Sequence, residues 1–287
     1  MENMESKPLF VSLGYRCSSA ALLKKLQLKY ESYPFDWLVS RLRVIEDCIK
    51  TDFKEFLNIN NYERRYSNTY KRMDSEEGFI CDEHLMVNTY YQPQENSHPN
   101  NTYQYELAMN HHNILLKGDY EYYERCSQRF RNLWGAQNPI IFVNIQPVIP
   151  FADFEKNREH IIDSIQQFDN FLYNTYYENC APSMDVPSHI SPQMPFVTGL
   201  YFIMVQNTHY IKKSENGEEE YTQTQFNESI QYESMRNTNS RIHILFVNPD
   251  FIDAGETFMG NCNHEREYIE NIILSYVDLY KEQSQDK

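Results

Sequence analysis

Cys17 is the residue whose type and setting in this 287-residue chain could do nucleophilic chemistry. It follows the short apolar run Leu9-Phe10-Val11 and Gly14, and it precedes Ser18 to Leu28, where Ala20, Leu23 and Leu26 recur at helical spacing. The pattern puts a thiol on a strand-to-helix turn, near the first turn of the helix. There the helix dipole and the neighbouring cation Arg16 both favour the thiolate, the nucleophilic form. The alternative is that Cys17 is a small buried residue of the core. A thiolate works with an imidazole that takes its proton and later returns it to the leaving group. His111 or His112 supplies one in the order Cys then His, and Asn144 or Asp119 is available to orient it. The alternative for the His-His pair is plain solvent exposure.

Three other groups carry weaker signals. Arg125 and Arg129 are four apart on a helical stretch, so they share a face that suits a phosphate or carboxylate, or simply surface carboxylates. Asp36, in Tyr33-Pro34-Phe35-Asp36-Trp37, reads first as the N-cap of a helix from about Trp37 to Lys50 and second as a substrate contact. Cys81-x-x-His84 and Cys262-x-His264 are isolated half-sites, so no metal and no cofactor are expected.

The elements that must position these residues alternate. Apolar strands are expected at Leu9–Val11, Ile140–Ile145, Leu200–Val205 and Ile242–Val247, and Pro147 and Pro150 mark the turn after the second. Helices are expected at Ser18–Leu28, Tyr120–Leu133, about Asp153–Tyr173 and Glu265–Tyr280. This predicts a single α/β domain over 1–287, with a mostly parallel sheet flanked by helices in a Rossmann-like three-layer arrangement. Residues 58–110, rich in Tyr and Asn, read as an irregular insertion with short strands near Gly78–Ile80 and Leu85–Val87. Residues 209–240 read as a projecting polar hairpin or loop around Lys212–Thr224. Ligands of such sheets bind beyond the carboxyl ends of the strands. That selects Gly14–Cys17, Asn144–Gln146, Gln206–Thr208 and Asn248–Asp250, and makes Arg16, Asp36, Arg125, Arg129 and Asn144 the expected substrate contacts.

Composition limits the partners. The net charge of −15 argues against a nucleic-acid backbone. Only 8 glycines leave no Gly-rich phosphate loop, and no apolar run is long enough for a bilayer. Six scattered cysteines behind a charged N-terminus without a hydrophobic leader fit a reduced, cytoplasmic setting. The expected partner is a peptide or small-molecule substrate, with neither nucleic acid nor membrane.

Ser12-Leu13-Gly14, Cys17 and Tyr33-Pro34-Phe35-Asp36-Trp37 together resemble the signature of a family of papain-like cysteine peptidases found in bacteria and large DNA viruses. The likeness continues through Asp52-Phe53, Phe56-Leu57, His111-His112-Asn113, Arg125-Cys126 and Arg129-Phe130, and covers roughly the first half of the chain. The resemblance implies Cys17 as nucleophile, His111 or His112 as base, and host cytoplasm if the source is viral. In the family an Asp often follows the His. Asn113 stands there in this chain, which leaves the third catalytic member open. The leading expectation is a cysteine-dependent hydrolase whose oxyanion meets N–H groups around Arg16–Ser18. The alternatives are a transferase or hydrolase of phosphorylated or sugar substrates with an Arg clamp, and a non-catalytic module binding through its Tyr-rich region.

Overall fold

The computed structural model describes residues 7–67, 83–92, 105–136, 138–180, 197–206, 228–231, 240–247 and 263–285. The first half of the chain runs β1 (Leu9–Ser12), α1 (Ser18–Lys25), β2 (Leu38–Ser40), α2 (Leu42–Lys50), β3 (Tyr62–Ser67), β4 (Glu83–Asn88), β5 (Leu107–Met109) and α3 (Lys117–Asn132). It continues with β6 (Ile140–Pro150), α4 (Phe151–Cys180), β7 (Val197–Gln206), β8 (Glu228–Gln231), β9 (Arg241–Val247) and α5 (Asn263–Gln285).

The main sheet has the order β1-β6-β7-β9-β8, with β1, β6, β7 and β9 parallel and β8 antiparallel to β9. Its central strands are mostly apolar because both faces are covered. Phe10, Ile141, Val143, Leu200, Phe202 and Leu245 meet Leu22 and Leu23 of α1 and Ile269 and Ile273 of α5 on one face. Val11, Ile140, Phe142, Tyr201, Ile203 and Ile244 meet α2, α3 and α4 on the other. The three layers are therefore present. The parallel strands follow chain order without the reversal that creates the crevice of a doubly wound sheet, so β1 lies at an edge.

Three expectations are corrected. Leu38–Ser40 is strand β2, not the start of a helix, and α2 begins at Leu42 with Arg41 as its N-cap. Pairing of β2 with β5 overrides the helical spacing. The described part of 58–110 is not irregular: β3, β4 and β5 join β2 in a small antiparallel sheet of order β2-β5-β4-β3. The strand expected near Leu85–Val87 lies within β4, whereas Gly78–Ile80 falls outside the described residues. Pro147 does not end its strand. β6 continues to Pro150, and its register against β7 shifts between Ile145 and Val148, an interruption where a residue without an N–H is tolerated. The hairpin expected at Lys212–Thr224 lies outside the described residues.

An aromatic cluster locks the first half together. Phe35 stacks on Phe53 at 6.0 Å and meets Phe130 edge-on at 5.7 Å, while Phe56 meets Tyr123 at 5.5 Å. Phe53 enters this cluster from a left-handed turn, with φ of 60° after Asp52 at 51°. That is a costly backbone for a bulky residue, and it is held here by packing on all sides.

Candidate active site

Cys17 stands at the end of the β1–α1 turn as the N-cap of α1, and it is partly exposed. Its carbonyl accepts Ala21 N–H at 2.7 Å, the first helical bond, so the thiol belongs to the helix start as the spacing requires. Arg16 beside it is also partly exposed. Gly14, three residues earlier, is pressed against the next segment: a Cβ there would lie 2.2 Å from the carbonyl oxygen of Phe35. Only glycine permits that approach.

The other expected partner is built on the small sheet. Leu38 of β2 pairs with Met109 of β5, and the chain reaches His112 three residues later. The carboxylate of Asp119, in the first turn of α3, sits 3.0 Å from His112 Nδ1 through Oδ1. Its Oδ2 accepts the Asn113 N–H at 2.8 Å, so the ring and the backbone beside it are held by one group. Tyr122 stacks on the imidazole at 4.9 Å and Tyr123 meets it edge-on at 5.5 Å. The carboxylate that meets an imidazole here is thus Asp119 and not the Asn144 amide, and the histidine it meets is His112; His111 is exposed.

His112 opens on a cleft of about 440 Å³ shared with Lys24, Lys29, Tyr30, Glu31, Ser32, Trp37 and Tyr122. Cys17 does not line it, and none of the His112 contacts above involves Cys17. The cleft reaches α1 at Lys24, seven residues or about 10 Å of helix beyond the thiol. The two are joined through the Phe35–Leu38 backbone, against which Gly14 packs on one flank and β5 pairs on another.

Asp36 anchors that backbone. It does not cap a helix: its Oδ2 accepts the Tyr33 N–H at 2.8 Å and meets Lys29 Nζ at 2.5 Å, while its Oδ1 is buried without a hydrogen bond. Burial pushes its carboxyl pKa up, and Lys29 opposes that rise. With Asp36 sealed from solvent, its carboxylate braces the backbone through Lys29, which itself lines the cleft. Lys29 was missed from sequence because a partner seven residues upstream across an irregular segment leaves no periodic signal.

Asn144 is also buried. Its amide donates to the carbonyl oxygens of Leu13 and Gly14, the latter at 2.8 Å, and accepts from Gln146. It faces the thiol's turn, not a substrate. Arg129 donates to the Ser32 carbonyl at 3.2 Å, and Arg125 is exposed, so the two do not converge as a clamp. Burial raises the pKa of both Cys48, to about 12, and Cys126, which leaves Cys17 as the accessible thiol among the described ones. Among the described residues no group of three metal-ligating side chains occurs, and no helix is long and apolar enough to cross a membrane. The half-site residues Cys81 and Cys262 lie outside the described residues.

Residues 8–170, more than half of the chain, match the protein family described as “Putative papain-like cysteine peptidase”. An uncharacterized protein of Acanthamoeba polyphaga mimivirus is 34% identical over 88 residues, which is 30% of this chain and 40% of that relative. The chain therefore spans well under half the length of the curated relative it matches. No solved structure matches.

Proposed function

On the premise that the chain belongs to this papain-like cysteine peptidase family, we propose a cysteine-dependent hydrolase in which Cys17 is the nucleophile, His112 the base and Asp119 the group that orients it. The observation that carries this reading is the His112–Asp119 contact. With Nδ1 held as the N–H that donates to a carboxylate, Nε2 is left to take a proton.

The steps follow from those roles. His112 Nε2 removes the Cys17 thiol proton, and the sulfur forms a bond to the acyl carbon while the carbonyl pair moves onto oxygen. N–H groups of the first turn of α1, which have no intrahelical acceptor, stabilise that oxyanion. Collapse breaks the bond to the leaving group, which departs with the proton from His112. Water then gives a proton to His112, attacks the thioester and releases the acid, and the thiol is restored. A positioned base of this kind supplies about 10²- to 10⁴-fold. The reading requires Cys17 and His112 to meet in the substrate complex, where catalytic hydrogen bonds tighten. The Arg-clamp reading has no comparable support, because Arg129 is engaged by Ser32.

Iodoacetamide on the native protein, read by peptide mass spectrometry, tests the reading. Cys17 is expected to label first, with Cys48 and Cys126 protected until denaturation. His112→Ala should slow Cys17 labelling near pH 6 and abolish acyl transfer, whereas His111→Ala should leave both within about threefold. Labelling of Cys17 only after denaturation would make it a core residue and end the proposal.

A further inference from the structure

The strand β6 is apolar from Ile140 to Ile145 except at Asn144, which is fully buried. A buried amide costs free energy unless every polar atom is matched, and a valine would be the ordinary residue there. Both of its N–H donors are used, and both go to one place. The two N–H bonds of Nδ2 go to consecutive carbonyls, Leu13 and Gly14, immediately before the thiol's turn, and Oδ1 accepts from Gln146. The next residue of the same strand makes a second tie beyond Cys17: the Ile145 N–H donates to Ser19 Oγ at 3.0 Å, and Ser19 is also fully buried. Cys17 is therefore suspended between two attachments to β6, one on each side of it in the chain.

We propose that Asn144 is a positioning residue of this hydrolase, with Ser19 as its weaker counterpart. Together they fix the direction in which the turn presents the Cys17 sulfur and the first N–H groups of α1. The proposal rests on the hydrolase reading. Because a peptide unit is planar and trans, drawing the Leu13 and Gly14 carbonyls toward β6 turns the Gly14 and Tyr15 N–H groups away from it. No carbonyl oxygen of these two units is then left on the side where negative charge develops. Acyl transfer needs sulfur, acyl carbon and oxyanion donors aligned together, and a misplacement of about 1 Å can cost about a hundredfold. Alkylation by a small reagent forms no oxyanion and makes no such demand.

The test compares two reactions of the same thiol in the full chain. Acylation of Cys17 by p-nitrophenyl acetate is followed by nitrophenol release, and alkylation by iodoacetamide is followed by mass spectrometry. Asn144→Ala is expected to slow acylation about a hundredfold while alkylation stays within about threefold, and Ser19→Ala to show the same split at about tenfold. Gln146→Met, which removes only the donor that steadies the Asn144 amide, decides the matter if Asn144→Ala does not fold, again with about a tenfold split expected. Acylation and alkylation falling in parallel, or acylation unchanged, would overturn the role of Asn144 while leaving the hydrolase intact. A wild-type protein that is alkylated at Cys17 but never acylated would overturn the hydrolase reading, and this proposal with it.

Discussion

Asp36 and Asp169 are both buried carboxylates, one beside the cleft and one between α4 and β7, and the molecule treats them differently. Asp36 faces the Lys29 ammonium and one backbone N–H, with its second oxygen unmatched. Asp169, on α4, has neutral donors: Tyr201 Oη at 2.8 Å and Ser240 Oγ at 2.9 Å, with Ser240 Oγ in turn accepting the Gly199 N–H at 2.8 Å. Burial raises its pKa to about 6, against the lowering effect of those hydrogen bonds. The Asp169 network is closed, and a Cβ on Gly199 would lie 2.4 Å from Asp169 Oδ1. The Asp36 pair keeps a charge in a wall that opens on solvent. The difference teaches that neutral hydrogen bonds are used where the layers are sealed, and a charge pair where an irregular segment must be pinned beside a cleft.

The largest effect should come from breaking the charge pair. Asp36→Ala leaves Lys29 buried without its partner, so a loss of about 3–5 kcal/mol is expected in urea unfolding. Lys29→Met in the Asp36→Asn background should recover much of it, because removing both charges removes the desolvation cost. A loss below about 1 kcal/mol in the single variant would show that the segment is held by Phe35 packing alone, and the contrast with Asp169 would disappear.

The next effect is in pH. Asp169 has a folded pKa of about 6 against an ordinary 3.8, so its contribution is fully present below about pH 4 and is lost as pH rises through 6. His243 on β9 is the opposite case. Burial lowers its pKa from 6.5 to about 4, so its contribution is present above about 6.5 and is lost as pH falls through 4. Shifts of this size are each worth about 3 kcal/mol and run in opposite directions across the same window. The two should largely cancel in the wild type between pH 4 and 6.5. His243→Phe, which keeps the ring stacking on Phe202, should unmask a stability that falls from pH 4 to 7. Asp169→Asn should unmask one that falls from pH 6.5 to 4. Parallel pH profiles for the two variants would refute the assignment.

The smallest effect sharpens the comparison from the surface. Arg131 pairs with Asp52 at 2.5 Å, but the Asp52 side chain is 75% exposed. Asp52→Asn should cost no more than about 1 kcal/mol and lose its effect in 0.5 M salt. A loss as large as that at Asp36 would mean that the left-handed turn at Asp52–Phe53, rather than burial, governs the charge pairs of this half.

The sequence by itself determined the layers and the thiol. Predominantly apolar runs at Ile140–Ile145 and Ile242–Val247 require cover on both faces, and the step from Leu9–Val11 through Gly14 to a helical stripe places Cys17 at a strand-to-helix turn. These signals are local, because strand and helix periodicities are written in neighbouring residues. Tertiary structure decided what meets across distance. Leu38–Ser40 became a strand only because β5 lies beside it, and Lys29 became the partner of Asp36 only because an irregular segment folds back. Asp119 rather than Asn144 meets His112 because the first turn of α3 lies against the segment after β5. Asn144, at the expected edge of the sheet, turned inward to donate to the Leu13 and Gly14 carbonyls just past β1. Such contacts depend on the relative placement of elements, and no spacing along one chain encodes that directly.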